Sequence, residues 1–291
     1  METIKCIVCG KNKTTPYIEV SDRLSQNPEL YQLVKCDCNF VYLNPRPSED
    51  NIATYYNTPN YDPHNFSKDN KLGKIYKLVQ WVTVRWKFRK IASFYQSGKL
   101  LDIGGGNGEF AAFMALQGWK VYLQDKISKL DNLSDSKNIN TVQNLETIKD
   151  DEYFNVITLW HSLEHIHNIE KLYFQINRLL KPDGILLIAV PNINAPERTF
   201  FNKTWAPFDA PRHLYHFQLK TLNELCSKYK FKIVRKYSLF QDTPYNILLS
   251  IEKNKPFQII KGVLVFYYSI IVTLLRGPEH SSSILVICRK A

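Results

Sequence analysis

A short apolar strand runs directly into a glycine-rich turn in the segment KLLDIGGGNGEF, residues 99–110. The turn carries Asp102, Gly104, Gly106 and Gly108, and the residues that follow, EFAAFMALQGW, have the composition of a helix. Glycines let the backbone turn tightly and approach a ligand closely, and the free amides at the helix start face the same point. These residues therefore predict the binding site of a nucleotide-type cofactor.

The pattern of the turn is D-x-G-x-G-x-G, because Glu109 stands where the dinucleotide fingerprint G-x-G-x-x-G would require glycine. The next strand, WKVYLQD, ends in Asp125. An acidic side chain at that place can bind both ribose hydroxyls of a nucleoside. Asp125 is accordingly a candidate cofactor ligand, with a solvated turn aspartate as the alternative.

Two cysteine pairs near the start of the chain have metal-ligand character, and their members are Cys6, Cys9, Cys36 and Cys38. The first pair has the spacing C-x-x-C followed by glycine, which permits a tight turn whose amides support the sulfurs. The second pair has a one-residue spacer, and Asn39 stands where glycine commonly follows. We predict a structural zinc site, with unmetallated thiols as the alternative and His64 as a substitute ligand. Cys226 and Cys288 lie in apolar patterns and are predicted to be core residues.

Composition sets the class of protein. The chain has 291 residues, of which 44% are hydrophobic, enough for one substantial core and an accessory module. Its start has no apolar stretch of signal-peptide type, which favours a cytoplasmic protein with reduced thiols, or one peripheral to the inner membrane. The net charge of +11 favours contact with phosphates, anionic lipid headgroups or acidic substrates. The alternative is a lysine-rich solvated surface.

Strand and helix patterns alternate after the glycine turn, which predicts an α/β fold with a mainly parallel sheet covered by helices. A helix is predicted from about Lys71 to Tyr95, after a loop rich in tyrosine. The domain division that follows has three parts: a zinc-ribbon-like module at 1–47, a tyrosine-rich loop and connecting helix at 48–95, and the α/β domain at 96–291 with an apolar helical insertion at about 256–278.

The glycine turn, together with YFNVITLWHSLEHI and LLKPDGILLIAVPN, resembles the class I S-adenosylmethionine-dependent methyltransferases. Asn155 and Asp183 depart from the usual Asp and Gly of that pattern. The four cysteines, NPRP and PRHLYHF narrow the resemblance to bacterial members that carry a zinc ribbon and act on small molecules. The resemblance implies a Rossmann-like seven-stranded, mainly parallel sheet with helices on both faces and S-adenosylmethionine as cofactor. It also implies that Asn144 and Leu145 contact the adenine.

Methyl transfer to a hydroxyl requires an aligned acceptor and a base that removes its proton, a task suited to histidine. The end of the fourth strand borders the cleft, so Trp160 is a further cofactor candidate and His161 is the first catalytic candidate. His213 is the second. For His165 a structural role is favoured over a catalytic one. The spacing H-x-x-E-H resembles an inverted zincin motif, but a third ligand with supporting context is lacking, so hydrolysis is disfavoured.

The insertion after the fifth strand, WAPFDAPRHLYHF, builds the acceptor pocket in the families that the chain resembles. Candidate acceptor-binding residues lie there and in the tyrosine-rich loop, and they are Tyr56, Tyr61, Arg212, Tyr215 and His216. Two alternatives stay open: Arg212 pairs with Asp209, and His216 and Phe217 anchor the loop by packing.

The C-terminal segment PFQIIKGVLVFYYSIIVTLLRG is strongly apolar. Its longest charge-free stretch, Gly262 to Leu275, falls short of the roughly 20 residues that cross a bilayer, so a membrane-spanning helix is not expected. Lys261 and Arg276 bracket the stretch. The segment can form an interfacial helix on anionic lipid, a lid over a hydrophobic substrate, a homodimer surface, or a helix buried in the fold.

The predicted function is methyl transfer from S-adenosylmethionine to a small-molecule acceptor such as a sugar, quinone, lipid-like compound or secondary metabolite, with oxygen favoured over carbon or nitrogen. A tRNA or protein methyltransferase is the alternative within enzymes. Nucleic acid is not an expected partner, because no arginine stripe or base-flipping motif is present. A noncatalytic adaptor that binds cofactor or lipid is the alternative from another class.

Overall fold

The computed structural model describes residues 1–25, 29–56, 71–125, 138–251 and 256–291. Its strands are β1 (Thr14–Ser21), β2 (Leu30–Cys36), β3 (Val41–Leu43), β4 (Lys99–Ile103), β5 (Lys120–Gln124), β6 (Ile139–Val142), β7 (Phe154–Trp160), β8 (Leu180–Pro191), β9 (Tyr215–His216), β10 (Phe231–Ser238) and β11 (Ser283–Lys290). Its α-helices are α1 (Lys71–Ala92), α2 (Glu109–Leu116), α3 (Ile169–Leu179), α4 (Pro196–Phe201), α5 (Leu219–Lys228), α6 (Asp242–Ser250) and α7 (Pro256–Arg276).

The larger sheet has seven strands in the order β10-β11-β8-β7-β4-β5-β6. The neighbours from β8 through β6 run parallel, and only β11 pairs antiparallel, with β8 and with β10. Residues 156–160 of β7 and 184–190 of β8 are buried without interruption, because helices cover the sheet on both faces. The predicted seven-stranded, mainly parallel sheet is confirmed.

The carboxyl edge of this sheet positions the candidate residues. Asp102 on β4 is in register with Thr158 on the adjacent β7, so the glycine turn after β4 and the residues after β7 lie side by side. Helix α2 begins at Glu109, with Gly108 as its N-cap at a φ of 74°. The Ser162 hydroxyl donates a hydrogen bond to the carbonyl of Ile103 (2.8 Å) and thereby ties the two loops together.

The N-terminal residues form a second sheet with the order β1-β2-β3-β9. Its fourth strand, Tyr215–His216, belongs to the segment after β8, so this module and the α/β domain share one sheet. The Arg46 guanidinium donates to the Tyr215 hydroxyl (2.7 Å) across the same junction. The sequence pattern changes at residue 47, but the residues on either side of this boundary do not form two independent hydrophobic cores.

Helix α7 is longer than the charge-free stretch in the sequence suggests. It spans 21 residues, and Phe257–Arg276 is long and apolar enough, by length and composition, to cross a membrane. The helix exceeds the charge-free stretch because Lys261 continues the helix instead of ending it. Most of the helix is not buried in the fold, because 22% of an 18-residue apolar stretch within it is buried.

Candidate active site

The glycine turn and Asp125 lie together. The Gly106 amide donates a hydrogen bond to Oδ2 of Asp125 (2.9 Å), although the two residues lie on turns after different strands. Gly106 has a φ of 55°, and a Cβ added to it would enter open space. A Cβ on Gly104 would instead lie 2.5 Å from Cβ of Ser162. The turn thus forms a cradle lined by backbone, as a bound nucleoside requires.

Asp102 lies under this cradle and is buried. Its Oδ1 accepts a hydrogen bond from the Thr158 hydroxyl (2.6 Å), whereas Oδ2 has no hydrogen-bond partner among the described residues. Burial raises the pKa of Asp102 to about 6, an effect that the Thr158 hydrogen bond and Lys87 oppose. A buried carboxylate oxygen without a donor is costly, so this atom suits a ligand that brings its own cation or donor.

The other predicted cofactor residues flank the cradle on two strands. Trp160 ends β7, and its ring packs edge-to-face on Phe110 of α2 (5.5 Å between centroids). Asn144 caps the short helix Leu145–Thr147 after β6, with its Oδ1 accepting from the amide of Glu146 (3.1 Å). Leu145 is buried beside it.

Lys87 of α1 is a site residue that the sequence reasoning missed. Its Nζ lies 4.4 Å from the centroid of the Trp160 ring and 5.7 Å from that of Phe110. Burial lowers the pKa of Lys87, and the carboxylates of Asp102 and Asp242 oppose that shift. The one sequence signal for this residue is the cluster of basic residues in RWKFRK, residues 85–90. Its ammonium can bind an anionic group of the cofactor over the cradle.

His161 follows β7 at a φ of 52° and lies between two carboxylates. Its Nε2 is 2.9 Å from Oδ2 of Asp242, and its Nδ1 is 3.6 Å from Oε1 of Glu164. Burial by itself lowers the pKa of His161, but Asp242 and then Glu164 raise it, to about 10. The two carboxylates therefore favour the imidazolium form of His161, which makes it a poorer proton acceptor than a neutral imidazole.

A second group of side chains surrounds the buried carboxylate of Glu164. The Nδ1 of His213 donates to the carbonyl of Pro207 (2.7 Å), which leaves Nε2 with its lone pair. The imidazole rings of His165 and His213 meet edge-to-face with centroids 4.6 Å apart. One ligand atom from each of Glu164, His165 and His213 lies within 4.8 Å of the others. Two imidazoles and a carboxylate can act as a base with its supporting groups, or hold a metal ion.

His165 itself is held by structural contacts. Its Nδ1 donates to the carbonyl of Arg212 (3.1 Å) and lies 3.0 Å from the hydroxyl of Tyr56. Burial and His213 lower the pKa of His165 to about 4, so it is neutral. Tyr56 thus contacts the histidine cluster. Tyr61 and the substitute zinc ligand His64 lie outside the described residues.

Arg212 is fully buried and does not face a binding site. Its guanidinium donates to both carboxylate oxygens of Asp209 (3.0 and 3.1 Å) and to both of Asp22 (3.3 and 2.7 Å). A further bond goes to the carbonyl of Tyr55 (3.2 Å). All five N–H donors of an arginine are used in this way. The alternative that Arg212 pairs with Asp209 is what the structure shows, and its predicted contact with an acceptor is not supported.

Tyr215 and His216 are also buried, and both make contacts inside the protein. The Tyr215 hydroxyl accepts from Arg46 and donates to the carbonyl of His167 (3.1 Å), so its polar atom is engaged inside the protein. His216 is buried against the ring of Phe208 (5.5 Å between centroids), and burial lowers its pKa to about 3. Both residues anchor the loop through β9.

The four N-terminal cysteines converge on one point. Cys6 Sγ lies 3.6 Å from Cys38 Sγ, Cys9 Sγ lies 3.4 Å from Cys36 Sγ, and all four sulfurs lie within 4.8 Å of one another. Four thiolates at about 2.3 Å from a tetrahedral Zn²⁺ are separated by such distances. Asn39 has a φ of 70°, close to the 75° of Gly10 in the matching turn. Asparagine tolerates this left-handed conformation, so the absence of glycine does not distort the second turn.

The fold and the cradle define a class I methyltransferase. A family model described as a methyltransferase domain matches residues 80–236, and the chain belongs to that family. The resemblance noted in the sequence is thereby confirmed.

Curated relatives share the central part of the chain. It is 26% identical over 140 residues to a ubiquinone biosynthesis O-methyltransferase of Rickettsia typhi (strain ATCC VR-144 / Wilmington), a match covering 44% of this chain and 56% of that protein. The corresponding protein of Rickettsia prowazekii (strain Madrid E) is 28% identical over 140 residues, covering 44% and 55%. The chain thus spans about half the length of the curated relatives it matches.

Solved structures share the fold. The geranyl diphosphate C-methyltransferase of Streptomyces coelicolor A3(2), crystallised with Mg²⁺, geranyl diphosphate and S-adenosyl-L-homocysteine, superposes with a TM-score of 0.54 at 15% identity, over 79% of this chain and 88% of that one. The 1,6-didemethyltoxoflavin-N1-methyltransferase of Burkholderia thailandensis, with its substrate and S-adenosylhomocysteine bound, superposes with a TM-score of 0.52 at 14% identity, over 94% and 99%.

Proposed function

We propose that this protein transfers the methyl group of S-adenosylmethionine to a hydroxyl oxygen of a small-molecule acceptor. The observation that carries the proposal is the position of the Glu164 cluster. Ser162, which abuts Gly104 of the cofactor cradle, lies two residues before Glu164. The turn that would bind the cofactor thus lies next to the turn that carries the Glu164 cluster. Methyl transfer requires this closeness, because the methyl donor and the proton acceptor must both reach the acceptor hydroxyl.

Three side chains around the cradle can bind different parts of the cofactor. The Asp125 carboxylate can accept hydrogen bonds from the ribose hydroxyls, and the unpartnered Oδ2 of Asp102 can accept one from the ammonium of the methionine portion. The Lys87 ammonium can form an ion pair with the carboxylate of the same portion. When bound, the cofactor supplies an activated methyl group on a sulfonium, so the residues of this chain need only align the acceptor and take its proton.

We assign the proton acceptor to His213 and not to His161, the first candidate from the sequence. His213 keeps a lone pair on Nε2 because its Nδ1–H is bound to the Pro207 carbonyl. The Glu164 carboxylate stabilises the imidazolium that forms. The imidazolium form of His161 is favoured by its two carboxylates, so its role is to position Glu164 and Asp242.

The relatives favour oxygen as the methylated atom, because their names describe O-methylation in ubiquinone biosynthesis. A phenolic quinol is accordingly the first acceptor to test. Methylation of tRNA or protein stays an alternative that salt-sensitive RNA binding would support. The cytoplasmic location and a homodimer stay predictions.

Replacing His213 by alanine should reduce kcat by about 100-fold or more while leaving the Kd for S-adenosylhomocysteine within about twofold. The measurement is transfer of labelled methyl to a short-chain prenylated catechol, with binding followed by calorimetry. In the variant, the residual rate should increase with pH, because hydroxide replaces the missing base. The matched control is His280→Ala, since that histidine lies away from the cluster, and it should keep full activity. A His213→Ala enzyme with an unchanged kcat would exclude this assignment.

We infer that the four N-terminal cysteines bind one structural zinc ion. The fit rests on their convergence and on the two matching left-handed turns. The site lies in the sheet that contains β9, so the ion would stabilise the strand adjoining His213. Its role would be structural, because four thiolates fill a tetrahedral shell and leave no open position.

Cys36→Ser should lower the zinc content from about one ion per chain to below about 0.2, and should destabilise the fold by several kcal/mol, because zinc binding adds directly to folding free energy. Zinc content by elemental analysis and thermal unfolding measure both effects. Cys226→Ala is the control, because that thiol is buried 3.9 Å from Cys288 and outside the cluster. It should retain the metal. A metal-free wild-type protein with an unchanged melting temperature would contradict the inference.

A further inference from the structure

Helix α7 presents a row of large apolar side chains to solvent. They are between 49% and 80% exposed, and they are Phe257, Ile259, Ile260, Val263, Leu264, Tyr267, Tyr268, Ile271, Leu274 and Leu275. We call this row the α7 outer face. A soluble helix normally turns its apolar side inward, so this face requires a partner other than water.

The opposite face of α7 is made of smaller and more polar residues. Ser269 and Thr273 are buried, and Thr273 donates a hydrogen bond to the carbonyl of His280 (3.0 Å). Gly262 faces Ile247 of α6 so closely that an added Cβ would lie 3.3 Å from its Cγ2. Val265 is buried on this side as well, and Phe266 packs partly buried against the core. The helix therefore packs on the domain through a mixed side, whereas its exposed side carries most of its large apolar residues.

Neighbouring helices extend the apolar surface. Phe200 of α4 is 42% exposed and packs edge-to-face on Tyr268 (5.2 Å between centroids). Leu248 and Tyr245 of α6 are 42% and 36% exposed. The first residue of α6, Asp242, is the ion-pair partner of His161. The apolar surface thus continues from the α7 outer face toward the candidate active site.

Basic residues outnumber acidic ones along this segment. Positions 252–279 contain Lys253, Lys255, Lys261 and Arg276, against Glu252 and Glu279. Two copies packed through this face would bring these cations together, which opposes a dimer. A bilayer with anionic headgroups complements both the apolar row and the cations.

We propose that the α7 outer face binds the surface of an anionic membrane, with the helix lying in the plane of the interface. An in-plane helix buries its apolar side about 5–10 Å deep while its other side stays on the protein. A spanning orientation would require α7 to leave α4 and α6, which contact its inner face. This proposal does not depend on methyl transfer, and its test uses no acceptor.

The test is co-sedimentation of the full chain with vesicles of phosphatidylcholine and phosphatidylglycerol in a 3:1 ratio. We expect binding that weakens in 0.5 M NaCl and on pure phosphatidylcholine. The double variant Leu264→Gln, Leu275→Gln should reduce the partition coefficient by at least about tenfold, since two exposed apolar side chains are lost. The matched control is Leu116→Gln, because Leu116 is 82% exposed on α2, away from this face. It should bind as the wild type does.

Three results would overturn the proposal. The first is a wild-type protein that does not bind anionic vesicles. The second is a dimer in sedimentation velocity that the double variant dissociates, which would assign the face to a second copy. The third is vesicle-bound protein that resists alkaline carbonate and is released only by detergent, which would indicate a spanning helix. Circular dichroism of the variants, with unchanged melting temperature, excludes unfolding as the cause of lost binding.

Discussion

Replacing Arg212 by methionine is expected to lower the free energy of unfolding by about 3–5 kcal/mol, among the largest effects of any single substitution in this chain. The variant leaves the carboxylates of Asp22 and Asp209 buried beside each other without the buried cation that bridges them, and among the described residues only Arg23 still forms an ion pair with Asp209. Because Asp22 follows β1 and Asp209 precedes β9, the junction between the two sheets should loosen first. Chemical denaturation measures the change.

Arg23→Met is the matched control for this prediction. Arg23 donates to the same Asp209 carboxylate (3.0 Å), but its side chain is 34% exposed, so its removal should cost below about 1 kcal/mol. If both variants changed the free energy of unfolding equally, the buried Arg212 network would stabilise the fold no more than a surface ion pair does. In that case the junction between the two sheets would rest on β9 and apolar packing.

The same network should make the wild type sensitive to acid. Although burial raises the pKa of Asp209, the neighbouring His213 in its protonated form and the guanidinium groups of Arg212 and Arg23 lower this pKa well below its ordinary value. A carboxyl group whose pKa is lowered in the folded state stabilises that state above its unfolded pKa of about 3.9 and loses the effect as pH falls. The network's contribution should therefore decline below about pH 4, and Arg212→Met should remove that part of the pH dependence.

Gly106→Val is expected to weaken binding of S-adenosylhomocysteine by about 100-fold or more, equivalent to about 2.8 kcal/mol. The Cβ of residue 106 would enter the open space of the cradle, where the nucleoside of the cofactor is proposed to lie. The carboxylate of Asp125, which accepts from the Gly106 amide, would be displaced as well. Isothermal calorimetry measures the loss.

Gly118→Val separates this steric effect from backbone strain. Gly118 also has a positive φ, 85°, and open space around its Cβ position, but it ends α2 away from the cradle. Both variants should lose about 1–2 kcal/mol of stability from the left-handed conformation. Only Gly106→Val should lose the ligand. If Gly118→Val lost it equally, the binding defect would report destabilisation and not a blocked site.

The parts predicted well were those set by neighbours in the chain. The strand and glycine turn at residues 99–110 and the cysteine pairs have local signatures, because a tight turn constrains residues a few positions apart. The seven-stranded sheet followed from alternating strand and helix patterns. Lys87 was missed because its role arises from a helix lying over a cleft formed by residues on other elements, Phe110 and Trp160.

The sequence by itself determined the glycine turn, the two cysteine pairs and the class of fold, since each rests on backbone geometry or on side chains close in sequence. Only the tertiary structure decided the state of His161, the burial of Arg212 and the direction of the α7 outer face. These depend on partners far along the chain, such as Asp22, which lies 190 positions from Arg212. Charge interactions, desolvation and packing act between residues that are close in space. The spacing of residues along the chain does not predict which distant residues come together.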